Sequence, residues 1–286
     1  MLLNKPVRLR RKTNLRNLVR ENQISINDFI RPVFVTHQND KREIPSMPGQ
    51  YHFPIDKLEI SIQNSMNLGV KGVILFGIPN QKDDKASDTI NENGIIQRAI
   101  KQLKKSFPEL IIISDACFCQ YTNHGHCGLL DNDGNINNER SLLKLQKQAI
   151  SHAEAGADFI APSCMLDGMV KCIRNALDNK GFNDRGIFSY AIKYASAFYG
   201  PFRDAVDSMP KFGNRKRYQM DPSNLREAIR EAKIDEYEGA DIIMVKPAMP
   251  YLDVIKEVKD NILCPVSAYQ VSGEYAMIKA ASNNNW

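Results

Sequence analysis

Three cysteines fall within eleven residues: Cys117, Cys119 and Cys127, in Ser114-Asp115-Ala116-Cys117-Phe118-Cys119 and Asn123-His124-Gly125-His126-Cys127-Gly128. Thiols this close can converge on one ion, and thiolates suit Zn²⁺. Three protein ligands with an open position is the catalytic zinc pattern, whereas structural zinc takes four. His124 or His126 could supply a fourth, and spacing alone leaves that open. Asp115 stands just before the thiols. A carboxylate there can orient a water or a substrate amine, or merely cap the loop.

Two lysines lie in apolar runs: Lys193 in Phe188-Ser189-Tyr190-Ala191-Ile192-Lys193, and Lys246 in Ile242-Ile243-Met244-Val245-Lys246-Pro247. Burying an ammonium is costly and depresses its pKa. A neutral amine is what carbonyl chemistry requires, because only the free base attacks to give a Schiff base. One such lysine usually snorkels as a structural residue. Two on adjacent strands, both near strand C-terminal ends, point to chemistry, and their like charges depress each other further. The segment after Lys193 is basic, with Arg203, Lys211, Arg215, Lys216 and Arg217. It reads either as a solvated charge run or as a lid whose guanidinium groups grip a carboxylate. Ser272-Gly273-Glu274 opens a helix that can add hydroxyl and backbone donors for an anion.

The elements that must position these groups alternate. Short β-rich runs at residues 32–37, 69–78, 110–118, 157–164, 186–196, 240–247 and 264–272 are near-continuous in apolar residues, as parallel strands covered on both faces should be. Amphipathic segments at 56–67, 93–106, 139–155, 167–179, 223–237 and 250–260 lie between them, and another helix starts at 273–283. Gly69, Gly156 and Gly239 each sit where a helix ends and a strand begins. A recurring βα unit implies a (β/α) barrel or an open doubly wound sheet. No G-x-G-x-x-G follows the first run, which favours the barrel. In a barrel, chemistry gathers at strand C-terminal ends. Residues 119–138 and 197–222 are long polar interruptions, and loops of that length are usually functional.

The chain has 286 residues, 25% charged and 43% hydrophobic, as an ordinary globular protein does. Its apolar runs are too short to span a bilayer. No secretory signal opens it. Six cysteines in so long a chain are not a disulfide scaffold, so a reducing, cytoplasmic compartment is expected. Residues 1–20 hold Lys5, Arg8, Arg10, Arg11, Lys12, Arg16 and Arg20 and no acid. The other 31 basic side chains face 33 acidic ones. The net charge of +5 therefore belongs to an N-terminal arm. That arm is either a solvated tail or a segment docking on a neighbouring subunit; lacking aromatics, it does not resemble a nucleic-acid binder.

Together these segments resemble the porphobilinogen synthase (δ-aminolevulinic acid dehydratase) family over nearly the whole chain. The resemblance rests on the cysteine segments, Phe159-Ile160-Ala161-Pro162-Ser163, Lys193 through Phe198-Tyr199-Gly200-Pro201-Phe202-Arg203, Tyr218-Gln219-Met220, Met244-Val245-Lys246-Pro247 and Tyr269-Gln270-Val271-Ser272-Gly273-Glu274-Tyr275. It implies a TIM (β/α)8-type barrel over residues 26–286, an N-terminal arm over 1–25, an active-site lid over 197–222 and a homo-octamer. It implies a lyase that condenses two 5-aminolevulinate molecules to porphobilinogen with loss of two waters. Lys246 and Lys193 match the two Schiff-base lysines, and Cys117, Cys119 and Cys127 the zinc ligands. Arg203, Arg215, Gln219 and Ser272 match positions that hold substrate carboxylates, and Asp115 and Ser163 line the site. Glu231 matches an allosteric magnesium position. No membrane or nucleic-acid partner is implied.

Cys164 and Met169 depart from the family pattern, and the sequence assigns them no function. An aldolase-type Schiff-base lyase would explain the lysines but not the cysteines. An inactive homologue acting only in assembly would explain a shortened C-terminus. Seven strand runs are present where barrel closure needs eight. The family continues with one more βα unit, whose strand supplies a tyrosine to the carboxylate site. The chain is therefore expected to be a C-terminally truncated copy with an open parallel edge.

Overall fold

The computed structural model describes residues 3–286; Met1 and Leu2 of the basic arm lie outside them. From residue 3 to residue 30 every side chain is exposed except half-buried Leu15, within the short helix α1 (Thr13–Leu18). Strand β1 (Ile30–Thr36) opens the sheet, and a hairpin of β2 (Arg42–Glu43) and β3 (Tyr51–Pro54) follows. Helix α2 (Ile55–Asn67) leads to β4 (Gly72–Ile78), α3 (Ile95–Ser106) to β5 (Ile111–Ala116), and α4 (Asn138–Ala155) to β6 (Phe159–Pro162). Next come α5 (Met169–Asn179), β7 (Gly186–Lys193), the short α6 (Gly200–Ala205) and α7 (Leu225–Glu238). The chain closes with β8 (Ile242–Lys246), α8 (Leu252–Asn261), β9 (Val266–Ala268) and α9 (Ser272–Asn283).

The seven expected strands are all present and parallel, in the spatial order β1-β4-β5-β6-β7-β8-β9. On its other side β1 pairs with β3, in parallel, over Phe34–Thr36. Among the described residues β9 pairs with β8 alone, so the sheet does not close on itself. The hairpin was invisible in the sequence because Arg42–Glu43 carries no apolar signal.

Alternation along each strand sorts the core into two layers. Phe34, Ile74, Phe76, Ile113, Phe188, Tyr190 and Met244 fill the inside of the curved sheet. Val33, Val35, Val73, Leu75, Ile112, Ile160, Ile187, Ile243 and Val245 face the helices. Met169 belongs to that outer core, which accounts for its apolar character.

The repeated strand entrances have a physical cause. Gly69, Gly156 and Gly239 take positive φ of 96°, 107° and 103°, ending α2, α4 and α7 in the left-handed region. The aspartate two residues after Gly156 and Gly239 then reaches across to the preceding strand. Asp158 accepts from the Ile112 amide at 2.7 Å, and Asp241 from the Ile187 amide at 2.7 Å. Each carboxylate thus fixes where its strand begins to pair, and so the register of everything downstream.

Candidate active site

Strands β7 and β8 run parallel with Lys193 and Lys246 as register partners. The pairing slips once between Ser189 and Ile192, where β7 carries an extra residue relative to β8. Without that bulge, Tyr190 and Lys193 would point to opposite faces. With it, the Tyr190 ring lies 5.6 Å from Lys193 Nζ and 4.9 Å from Lys246 Nζ, between two buried amines.

The two amines differ in surroundings. Lys193 Nζ donates to the Ser163 carbonyl at 2.5 Å. Lys246 Nζ faces rings: Tyr269 at 4.0 Å, Phe202 at 5.3 Å and Tyr199 at 5.5 Å. Burial, with the Lys193 charge adding, lowers the Lys246 pKa to about 7. Tyr199 Oη donates to the Tyr194 carbonyl at 2.6 Å and lies 3.2 Å from the Lys246 carbonyl, tying the two strand ends together. Asp115, at the end of β5, is buried near both amines. It accepts from Gln120 Nε2 at 3.3 Å and from Ser163, while burial raises its pKa against the pull of these partners.

Cys117, Cys119 and Cys127 are buried, and their sulfurs all lie within 4.8 Å of one another. Cys117 and Cys119 are 3.5 Å apart. Three converging soft donors fit a thiophilic divalent ion such as zinc. No other residue joins this cluster among the described residues. Of the two histidines left open by the sequence, His126 has both ring nitrogens engaged elsewhere, while His124 has Nε2 buried and unpaired outside the converging set. His126 uses Nδ1 on Tyr218 Oη at 3.2 Å and Nε2 on the Phe212 carbonyl at 3.1 Å. His124 Nδ1 accepts from the His126 amide at 3.1 Å.

His126 thereby clasps the lid to the cysteine loop. The lid is not wholly irregular: Pro201, in the first turn of α6, has no amide there to leave unpaired. Lys211 donates its amide to the His124 carbonyl at 3.1 Å, and Arg215 reaches the Gly125 and Ser208 carbonyls at 2.8 and 2.6 Å. Gly125 is required at this seam, since a Cβ there would lie 2.5 Å from the Met209 carbonyl oxygen. Inside the lid, Arg203 Nε, Ser208 Oγ, Arg215 Nε and both amide atoms of Gln219 are buried without a hydrogen-bond partner. Buried polar atoms cost free energy when unpaired. So many in one place mark a surface shaped for a polar ligand.

Ser272 lines the cavity that holds Lys246 and braces the lid backbone. Its hydroxyl donates to the Phe198 carbonyl at 3.1 Å and accepts from the Phe202 amide at 2.9 Å, anchoring both ends of the lid's first turn. A cavity of about 600 Å³ opens beside it, lined by Lys246, Tyr199, Phe202 and Tyr269 among others. Glu231 does not line the cavity beside Lys246. It lies half-buried on α7 in another cavity, of about 1010 Å³, shared with Asp167, Glu227, Asp235 and Glu238 and bounded by His126, Tyr218 and Gln219.

A family model described as "Delta-aminolevulinic acid dehydratase" matches residues 3–286. The chain belongs to the delta-aminolevulinic acid dehydratase family. The family's enzyme from Halalkalibacterium halodurans is 52% identical over 98% of this chain and 85% of its own length. That from Bacillus subtilis is 49% identical over 99% and 87%. The crystal structure of the Toxoplasma gondii enzyme, delta-aminolevulinic acid dehydratase (porphobilinogen synthase) in complex with the reaction product porphobilinogen, superposes with a TM-score of 0.97 at 43% identity. That match covers 99% of this chain and 82% of that one. The dehydratase match thus spans nearly the whole chain. No described helix is long and apolar enough to cross a membrane.

Sequence reasoning missed the aromatic wall of Tyr190, Tyr199, Phe202 and Tyr269. The available signal was the Tyr-x-x-Lys spacing in β7, which places both residues on one face only if a bulge intervenes.

Proposed function

We propose that this member of the dehydratase family condenses two molecules of 5-aminolevulinate to porphobilinogen, with loss of two waters. The observation that carries this reading is the pairing of two buried lysines in register, with three converging thiols at the end of a nearby strand. Lys246, neutral in an appreciable fraction at pH 7, attacks the ketone of one substrate, and the imine forms as water leaves. Lys193 forms the second imine. Its Ser163 carbonyl contact directs the nitrogen before reaction. Arg203, Arg215, Gln219 and Ser272 bind the substrate carboxylates, and Ser272 also holds the lid segment that carries Phe202 and Arg203. Asp115, with its raised pKa, takes up and returns protons between the two amines. Zinc bound by Cys117, Cys119 and Cys127 would supply a Lewis acid beside them. The chain's aromatic wall and lid exclude water while the two substrates join.

The same reading assigns Glu231 to an allosteric magnesium ion. Its carboxyl is raised by burial and by Asp167 and Glu227, a repulsion that a divalent cation relieves. The exposed basic arm becomes a docking element in a homo-octamer, and the compartment is cytoplasmic.

The test is reductive trapping. Borohydride with labelled 5-aminolevulinate should label the wild-type chain and leave Lys246→Ala unlabelled and without pyrrole product. Full labelling of Lys246→Ala would sink the assigned role.

A further inference from the structure

Glu274, in the first turn of α9, is fully buried, and the condensation gives it no part in the chemistry. Its Oε2 accepts from the Val271 amide at 2.6 Å, the ordinary reach of a helix's third residue back to its cap. Such a cap needs no burial, and a buried carboxylate is costly unless its oxygens are paired. The rest of the pairing comes from another strand. Pro247 has no amide hydrogen, so Ala248 and Met249 carry the first donors after Lys246. Both go to Glu274: the Met249 amide donates to Oε1 at 2.5 Å and the Ala248 amide to Oε2 at 3.4 Å. Val245 opposite Ala268 is the last register pair of β8 and β9, so the carboxylate takes over where that ladder stops. The start of α9 is itself firmly seated. A Cβ on Gly273 would lie 2.7 Å from the Phe198 carbonyl oxygen, and Tyr275 Oη donates to the Pro48 carbonyl at 2.6 Å.

We propose that Glu274 is a positioning residue for Lys246, holding the chain just past the lysine so that Nζ meets the substrate ketone. The inference rests on the reading that Lys246 forms an imine with substrate. A lysine reaches its target on a flexible four-carbon stem, so the place of its backbone decides where the amine can stand. On one side the Lys246 carbonyl accepts from the Tyr194 amide at 3.0 Å, across the strand pair. On the other side the backbone is held by Glu274. Amides occupy both of its oxygens, so it acts as a clamp and not as a base. Hydrogen bonds to a carboxylate are stronger than those to a neutral acceptor. The N-terminal end of α9 favours the negative charge that makes them so. A plain helix cap would steady its own helix alone, whereas this one joins α9 to the exit of β8. A misplacement of about 1 Å at a reacting group can cost about 100-fold in rate.

The test follows borohydride trapping of labelled 5-aminolevulinate in the full-length wild-type chain, Glu274→Gln and Glu274→Ala. Substrate and borohydride are in excess, so imine formation sets the rate, and peptide mapping assigns the label to Lys246. The final amount of label counts the chains able to react. The first-order rate constant describes those chains alone, whatever fraction is unfolded. Glutamine keeps one acceptor and turns an amide donor toward the other backbone N–H, so it breaks the clamp at nearly constant volume. The rate constant above the break at about pH 7 should fall about 10–100-fold in both variants. The break should stay where it is. KM should remain within about threefold of wild type, because the lid arginines are untouched. Wild-type rate constants in both variants overturn the role of Glu274 and leave the imine reading standing. A fall confined to Glu274→Ala overturns it as well, as a loss of packing. A break displaced to lower pH does the same, making Glu274 a charge that keeps Lys246 protonated. So does a smaller final label with an unaltered rate constant, or no label in either variant, since the carboxylate would then serve folding alone. A wild-type chain unlabelled at Lys246 overturns the imine reading itself.

Discussion

The strand ends and the lid are built on opposite principles. Around the two lysines several polar partners are already found, with Lys193 on the Ser163 carbonyl, Asp115 on Gln120 and Ser163, and Tyr199 on Tyr194, while Tyr190 Oη is buried unpaired. What is withheld there is solvent, and Lys246 answers with a depressed pKa. In the lid the withheld partners are hydrogen bonds. Arg203 Nε, Arg215 Nε, Ser208 Oγ and both amide atoms of Gln219 are buried donors and acceptors that nothing in the chain satisfies, although Arg215 also holds two carbonyls. The first region makes a group reactive by removing water. The second makes a surface adhesive by leaving it incomplete. Damage to the strand ends should therefore act on chemistry, and damage to the lid on binding.

Arg215 offers the widest separation of the two. Hydrogen bonds to charged groups contribute about 1.5–3 kcal/mol each, so Arg215→Ala should raise KM for 5-aminolevulinate by about 10–100-fold. Arg215→Lys should recover little of it, because an ammonium cannot reproduce the planar fork. Borohydride trapping at saturating substrate should survive in both variants, since Lys246 is untouched. Loss of trapping would show that the lid and the strand ends are not separable.

The pH dependence tests the other side. An amine with a pKa of about 7 is mostly neutral above that pH and loses about tenfold in its free-base fraction for each unit below it. The rate of trapping should therefore fall with a slope of one below about pH 7 and level off above it. Lys193→Met removes a like charge that helps lower this value, so the break should move to higher pH. A break at the same pH would mean that desolvation alone sets the reactivity of Lys246.

The asymmetry between the two regions also explains what could be read from residues alone. Parallel strands buried on both faces leave near-continuous apolar runs, so all seven strands were legible, and a lysine inside such a run stood out by its cost. Strand β9 was drawn from 264 to 272 but is only Val266–Ala268, because apolar character outlasts ladder pairing. The bulge in β7 was marked at most indirectly, by the Tyr-x-x-Lys spacing, since a register slip is a property of two strands. The basic lid was visible as composition. Which of its atoms end up buried and unpaired was not, because that depends on the cysteine loop docking against it. The same docking settles His126, whose ring nitrogens the spacing alone could have given to a metal and the fold gives to Phe212 and Tyr218. Ser272 was expected at a carboxylate; that its hydroxyl also braces the lid backbone depends on Phe198 and Phe202 folding against it and was not legible.

Gln219 gives the smallest effect and the sharpest form of the contrast. Both of its amide atoms are buried without partners, and leaving a buried polar group unsatisfied costs about 1–3 kcal/mol. Gln219→Leu removes those atoms at similar volume. In the substrate-free chain this should raise stability by about 1 kcal/mol, read as a higher denaturation midpoint with an unchanged slope. In catalysis it should cost the neutral hydrogen bonds Gln219 would make to substrate, a rise in KM of about 3–10-fold with kcat nearly intact. A variant that is both more stable and a weaker binder is the signature of a site that stores unsatisfied polarity for its ligand. If Gln219→Leu is instead destabilised, the amide is already paired in the free chain. The incompleteness of the lid would then have to rest on its arginines alone.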